Sequence, residues 1–471
     1  MKDTFLAIDF GGGSGRVIAG SLTNHRLHIE EVYRFPNRQI KLGKHLYWDF
    51  LSLFQEMKNG IAKAVHKGYH IRTIGIDTWG VDFGLIDNQG NLLGNPVCYR
   101  DDRTAGMPER FFEQTKPAGH YAETGIQVMP INTLFQLLSM KEANDPTLQA
   151  ADRLLFMPDL FNYFLTGIAA NEYSIASTSE LLNATHRTWS EKVLKEAALP
   201  RHLFGPIIHP GSIHGEIKDE LADELELPHN VQVVAVGSHD TASAVFAAPG
   251  NNSNSAFLSS GTWSLLGTML DEPILTEDAR KAGFSNEGGV LNKICFLQNI
   301  TGLWMVQRLM AEWEACGKSC DYERINKEAE NSAIRSFVHV DDACFQNPVN
   351  MEQTIREQCI KNNQAVPSTQ GDFMRCICES LARRYKQGIE ELNNLLPDPV
   401  QQLHIIGGGC KNKLLNQLTA NALRIPVYAG PAEATAIGNI LLQAYAIGAV
   451  CEHEMEVILT ESTQPQMYQP Q

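Results

Sequence analysis

The stretch TFLAIDFGGGSGRVIAGSL, residues 4–22, constrains the fold more than any other part of the chain. An apolar run ends at Asp9 and Phe10, a turn of glycines and serine follows, and a second apolar run begins at once. This is the grammar of two strands joined tightly, without an intervening helix. SAFLSSGTWSLLGTML, residues 255–270, repeats the plan with a turn of Gly, Thr and Ser. The match is of pattern and not of identity, and it predicts two halves of similar topology; two unrelated hairpins would read the same way. At 471 residues the chain exceeds one ordinary core, and its length suits roughly two to three domains.

Within the first half, LHIEEVYRF reads as a third strand, Leu51 to about Lys67 as an amphipathic helix, and RTIGIDTWG and VDFGLID as further strands. A mixed sheet is expected, its first strands joined by turns. Arg100 to Pro210 reads as helices and loops added to the first domain, and DYERINKEAENSA as a solvated helix face. The tail after Thr460, rich in Gln, Pro and Ser, is expected to be frayed or draped over the surface.

A net charge of -15 argues against nucleic acid or an anionic membrane as partner, since both reward a basic surface. A small molecule fits better. The start, MKDTFLAIDFGGG, lacks the basic and long apolar segments of a signal peptide, and no apolar run reaches the roughly eighteen residues of a membrane span, so a cytosolic location is expected. The ten cysteines have no paired Cys-x-x-Cys zinc spacing, and reduced thiols are the default. Cys359 and Cys376 flank the turn AVPSTQGD and could meet if it folds back.

Four motifs can carry chemistry. In DFGGGSGR the glycines at 11, 12, 13 and 15 allow left-handed backbone and can aim N–H groups at a phosphate, with Ser14 and Arg16 beside them. Because a strand follows, a phosphate-gripping hairpin fits better than a dinucleotide-type turn, while an ordinary glycine hairpin stays open. Asp9 ends the first strand, where a carboxylate can hold water around Mg2+; it could equally cap a turn. GTWS offers Thr262 at the corresponding place in the second half, so two such turns could clasp a polyphosphate. LHIIGGGCKNKLLNQLTANAL reads as a strand, three glycines and a helix from near Asn412, with the glycines open to a flat ring or sugar; a strand-to-helix turn that merely needs glycine would look the same.

VVAVGSHDTASAVF reads as a strand turning into a helix, with Ser238, His239, Asp240 and Thr241 at the strand's carboxyl end, where open α/β sheets place their chemistry. Asp240 is either an ordinary N-cap or a carboxylate poised to take a proton from a substrate hydroxyl. A hydrolase using Ser238 is disfavoured, because no G-x-S-x-G elbow is present. GPAEATAIGN reads as the closely packed start of a helix with Glu433 near its N-terminus, a structural role.

Together FLAIDFGGGSGR, IGIDTWGVDFGLID, YRDDRT, VGSHDTASAV, LSSGTWSLLG, NEGG, QNITGLWMVQR, LHIIGGGCKNKLLNQL and GPAEATAIGNI resemble the FGGY carbohydrate kinases, over nearly the whole chain. The resemblance implies an α/β fold of two ribonuclease H-like domains, 1–245 mainly for sugar and 246–471 mainly for ATP, of the actin, hexokinase and Hsp70 type with an interdomain cleft. It implies Asp240 as catalytic base, Gly80, His239, Thr241 and Asn299 beside the sugar, and Asp9 at Mg2+. ATP would be lined by Gly12, Gly13, Ser14, Gly15, Arg16, Thr262, Gln307 and Gly408. DTWGVDF, SHDTASAV and NITGLW point within the family to transfer from MgATP to O1 of L-rhamnulose. A kinase of another ketose, such as L-fuculose or D-xylulose, or an ATP-driven switch of the actin and Hsp70 type, are the rival readings.

Overall fold

The computed structural model describes residues 3–248, 254–345 and 348–471. The chain divides into two compact units, Met1–Pro249 with Met269–Phe296 and Ala434–Ser462, and Gly250–Thr268 with Leu297–Glu433 and Thr463–Gln471.

The first unit is built on a six-stranded sheet. Its order is Ser212–Glu216, Gln232–Ala235, His70–Thr78, Asp3–Phe10, Ser14–Thr23, Arg26–Pro36. Asp3–Phe10 is central and buried from Thr4 onward, which is why it reads as an unbroken apolar run instead of an alternating one. It pairs antiparallel with Ser14–Thr23 and parallel with His70–Thr78, giving the expected mixed sheet. The helix Phe50–His66 is capped by Asp49, whose side chain accepts from the Ser52 N–H at 3.2 Å. Its Gly60 lets it close onto Ser14–Thr23, since a Cβ there would overlap Val17. The helix Ala434–Ala446 returns from far along the chain to the same sheet, where Gln443 Nε2 donates to the Leu6 carbonyl at 3.0 Å and Gln443 Oε1 accepts from Thr73 Oγ1 at 2.6 Å. The region from Arg100 to Pro210 supplies short helices, among them Thr133–Glu142 and Met157–Thr166, as expected.

In the second unit Trp263–Leu270, Ser255–Ser260, Gln402–Ile406, Val427–Ala429 and Gln466–Tyr468 lie side by side in that order. The turn at Gly261–Thr262 joins Ser255–Ser260 to Trp263–Leu270 as an antiparallel hairpin, and Ser255–Ser260 pairs parallel with Gln402–Ile406. The first unit's hairpin plan thus recurs. The 24-residue helix Gln370–Asn393 opens with a capping box of Thr369 and Asp372, and its buried Tyr385 hydroxyl lies 2.9 Å from that of Ser264.

The tail departs from expectation. The helix Glu452–Thr463 runs through Thr460, and Gln466–Tyr468 then pairs antiparallel with Val427–Ala429. The backbone of a polar strand finds its hydrogen bonds at a sheet edge as well as in water, so composition alone misreads it. All ten cysteines are free. Cys359 and Cys376 do meet, as buried thiols sharing a hydrogen bond. Among the described residues no helix is long and apolar enough to cross a membrane.

Candidate active site

Three carboxylates of the first unit converge where strands end. Asp9 and Asp77 are register partners on the parallel strands Asp3–Phe10 and His70–Thr78. Asp240 follows the strand Gln232–Ala235 and is the first residue of the helix Asp240–Phe246. It is not the N-cap: that place belongs to His239, and no side chain caps the helix. The ordinary structural use of Asp240 is therefore absent, and its carboxyl keeps about a third of its surface (34%) open.

Burial and the neighbouring Asp9 charge push the Asp240 carboxyl up from the ordinary range, against His239 and the Thr241 hydroxyl, which donates at 3.1 Å. Asp9 accepts an ion-paired hydrogen bond from Arg16. Asp77 is fully buried; Asn439 Nδ2 donates to its Oδ2 at 2.5 Å, and its Oδ1 has no hydrogen-bond partner among the described residues. Burial first, then the Asp9 charge, hold the Asp77 carboxyl well above its usual range.

His239 lies with Nδ1 3.1 Å from Glu287 Oε2 and Nε2 3.6 Å from Asp240 Oδ1. Burial works against its charge, but Glu287 and then Asp240 outweigh it, so the ring holds a proton more firmly than a free histidine. Its backbone is fixed as well: the His239 N–H donates to Ser174 Oγ at 3.1 Å, and the Ser238 N–H to Glu172 Oε2 at 3.3 Å. Glu172 is buried and pushed up to about 7 by that burial, against the N–H groups of Ser174 and Ile175 and the Ser174 hydroxyl. Gly80 faces this group, and a Cβ on it would lie 3.4 Å from His239 Nε2.

The glycine turn at 11–13 differs from its sequence reading in one respect. None of Gly11, Gly12, Gly13 and Gly15 is in the left-handed region. Gly15 is required by packing, because a Cβ would overlap the Phe35 ring. The turn is instead braced through its carbonyls: Gly11 accepts from Asn37 Nδ2 at 2.9 Å, Gly12 from Gln39 Nε2 at 2.9 Å and Gly13 from the Asn37 N–H at 3.1 Å. The Gly11 N–H is taken as well, donating to the Ser14 carbonyl at 3.0 Å. The N–H groups of Gly12 and Gly13 are therefore the edge offered to an anion, and Gly13 stands open with nothing within 4 Å of a Cβ.

In the second unit Thr262 Oγ1 donates to Gln307 Oε1 at 3.1 Å, joining the hairpin turn to the helix Trp304–Ala315. Gly407 and Gly409 close onto Ser260 beside that turn, while Gly408 meets nothing within 4 Å. The helix Lys413–Leu423 follows, capped by Asn412, whose Oδ1 accepts from the Leu415 N–H at 3.0 Å. Asn299 lies half-buried on the strand Ile294–Thr301.

The structure thus brings Asp9, Gly12, Gly13, Ser14, Gly15, Arg16, Gly80, His239, Asp240 and Thr241 to the strand ends of the first unit, and Thr262, Gln307 and Gly408 together in the second. Sequence reasoning missed Asp77, Glu172, Glu287 and Asn439. Asp77 carried a signal, because IDTWG ends its strand with a carboxylate as IDFGG does. Glu287 sat unassigned in NEGG, and Asn439 is 362 positions from its partner.

Comparison with known proteins identifies the lineage. Residues 4–247 match the N-terminal domain, and 256–447 the C-terminal domain, of the FGGY family of carbohydrate kinases. The chain is 45% identical to a rhamnulokinase of Bacteroides thetaiotaomicron, covering 100% of this chain and 96% of the relative, and 38% identical to that of Bacillus subtilis, covering 94% and 90%. A ligand-bound xylulose kinase from Lactobacillus acidophilus and a Plasmodium falciparum glycerol kinase with ADP share the fold at TM-score 0.82, at 16% and 15% identity, each covering 100% of this chain and 94% of the other. The two α/β domains accordingly have the actin and hexokinase type of fold, and the chain belongs to the FGGY family of carbohydrate kinases.

Proposed function

We propose that this carbohydrate kinase transfers the γ-phosphate of ATP to O1 of L-rhamnulose, giving L-rhamnulose 1-phosphate and ADP. The acceptor follows from the relatives named rhamnulokinase that match nearly the full chain. The observation that carries the chemistry is Asp240, an uncapping, partly open carboxylate at a strand end, with a pKa raised toward the useful range of a general base.

Asp240 takes the proton of the O1 hydroxyl as O1 forms its bond to the γ-phosphorus, and the bond from that phosphorus to the β,γ-bridging oxygen breaks to release ADP. His239, held by Glu287, and the neighbouring Thr241 and Gly80 orient the sugar so that O1 and not water is the acceptor. Gly12, Gly13, Ser14, Gly15 and Arg16 hold phosphate oxygens through backbone N–H groups, a hydroxyl and a guanidinium. In the second unit Thr262, Gln307 and Gly408 are assigned to the nucleotide, and Asn299 is assigned to the sugar by the family resemblance alone.

Mg2+ belongs to the proposal. Asp9, with the unpartnered Oδ1 of Asp77 near it, offers the one or two carboxylates on which such an ion is held through water and phosphate. When bound it neutralises charge on the transferring phosphate. We place the reaction in the cytosol, the compartment in which ten unpaired cysteines stay reduced.

The test is ADP release from MgATP with L-rhamnulose, L-fuculose, D-xylulose, L-ribulose and glycerol in parallel. L-Rhamnulose should give the strongest signal, and Asp240→Asn should lower turnover about 10²- to 10⁴-fold while ATP still binds. A stronger signal from another ketose would remove the substrate assignment, and wild-type turnover in the variant would remove Asp240 from the mechanism.

A further inference from the structure

Between the strands His70–Thr78 and Phe83–Ile86 the chain turns through Gly80, Val81 and Asp82. Val81 has a φ of 66°, a region that crowds a β-branched side chain. The Asp82 N–H donates to the Gly80 carbonyl at 2.9 Å, so the three residues close a γ-turn of the rare, strained, positive-φ kind. Such strain persists only where the surroundings over-determine it. Here they do: the Val81 N–H donates to Thr178 Oγ1 at 3.2 Å, and the Val81 carbonyl accepts from Thr133 Oγ1 at 2.7 Å. The buried Asp82 carboxylate accepts from the indole N–H groups of Trp48 at 2.6 Å and Trp79 at 3.0 Å, and from Gln136 Nε2 at 2.9 Å. Glycine at 81 would make the same connection without the cost.

The strained turn stands directly against the site. A Cβ on Gly80 would lie 3.4 Å from His239 Nε2 and 3.5 Å from Thr178, and the Thr78 N–H donates to the Ser238 carbonyl at 2.9 Å. We propose that Val81 and Thr178 are positioning residues for sugar selection: the clamped γ-turn fixes the Gly80 peptide at a set distance from His239, leaving a rigid gap that one ketose fits. This rests on the reading of His239 and Asp240 as the sugar site. A looser turn would admit sugars with an added or displaced hydroxyl, because selection by shape needs a wall that does not yield.

The experiment combines steady-state kinetics with thermal unfolding of Val81→Gly, Thr178→Val and Thr178→Ser. Val81→Gly sheds the strain but also the buried valine side chain, so it should lose less stability than removing a buried valine from an unstrained position would. Its KM for the sugar should nevertheless rise about ten- to a hundredfold, the scale of a displaced binding group, with the KM for ATP unchanged. Preference for L-rhamnulose over its 6-hydroxy analogue, L-fructose, should shrink. Thr178→Val should follow, and Thr178→Ser, which keeps the acceptor, should restore wild-type values. Wild-type KM and preference in Val81→Gly would overturn the proposal, as would a KM for ATP that rises in step with the KM for the sugar, which would give the side chain a packing role only. If the wild-type chain prefers another ketose, the substrate assignment fails, and the turn is judged by the same ratios on that sugar.

Discussion

Asp240, His239 and Glu287 form a chain of charge whose protonation the geometry sets in opposite senses for acid and base. Asp240 must be unprotonated to accept a proton, so activity is lost as pH falls through its pKa, which lies above the ordinary carboxylate value of about 4. His239 gains from Glu287 and Asp240, so it gives up its proton only as pH rises past the ordinary histidine value of about 6.5. If the charged ring orients the sugar, kcat/KM is bell-shaped between the two. Glu287→Gln removes the nearest support of the imidazolium, 3.1 Å away, and should move the alkaline limb to lower pH. The acid limb, set by Asp240 at a pH where His239 is still charged, should move less. A pH profile of the variant with an unmoved alkaline limb would remove His239 from that role.

At the scale of elements, the helix Ala434–Ala446 does more than its sequence promises. GPAEATAIGN reads as close packing, and Gly438 bears this out, since a Cβ there would overlap the carbonyl of Ser243 on the helix that begins with Asp240. The next residue, Asn439, accepts from Gln443 one turn on at 2.6 Å and donates to Asp77, so the same helix reaches the carboxylates. Gly438→Ala should therefore destabilise the fold by about 1–3 kcal/mol, the usual cost of overpacking, and also lower kcat by tilting the helix that carries Asp240. A urea midpoint that falls with kcat intact would confine the helix to packing. The contrast shows what a sequence exposes. Hairpins, strand-to-helix turns and the helix start near Asn412 are local, written in adjacent residues, and legible there. The Asn439 and Asp77 contact joins opposite ends of the chain, and the strain at Val81 lies in a φ that no residue type announces. The tail shows the converse, a polar segment placed in a sheet by the strand that receives it.

Over the whole molecule, acid stability depends also on groups with no part in the proposed chemistry. His214, on Ser212–Glu216 of the first unit, and His404, on Gln402–Ile406 of the second, are buried with neither ring nitrogen hydrogen-bonded among the described residues. Burial pushes both down to about 4. Unfolded, each would titrate near 6.5, so between about 6.5 and 4 the unfolded chain binds protons that the folded chain refuses. Stability is therefore present above the unfolded value and falls as pH drops through that window, by at most about 1.4 kcal/mol per pH unit for each histidine. His404 stacks on Tyr428 at 5.1 Å between centroids, 14° from parallel, so a phenyl ring can take its place. His404→Phe should lose less stability than the wild type between pH 7 and pH 5 in urea titrations, read with probes in each unit because two units need not unfold together. The gain should appear in the second unit's transition and leave the first unit, where His214 still refuses its proton, as acid-sensitive as before. An equal loss in variant and wild type would mean that His404 is already open to protons in the folded chain, and the acid sensitivity of that unit would then belong to its carboxylates.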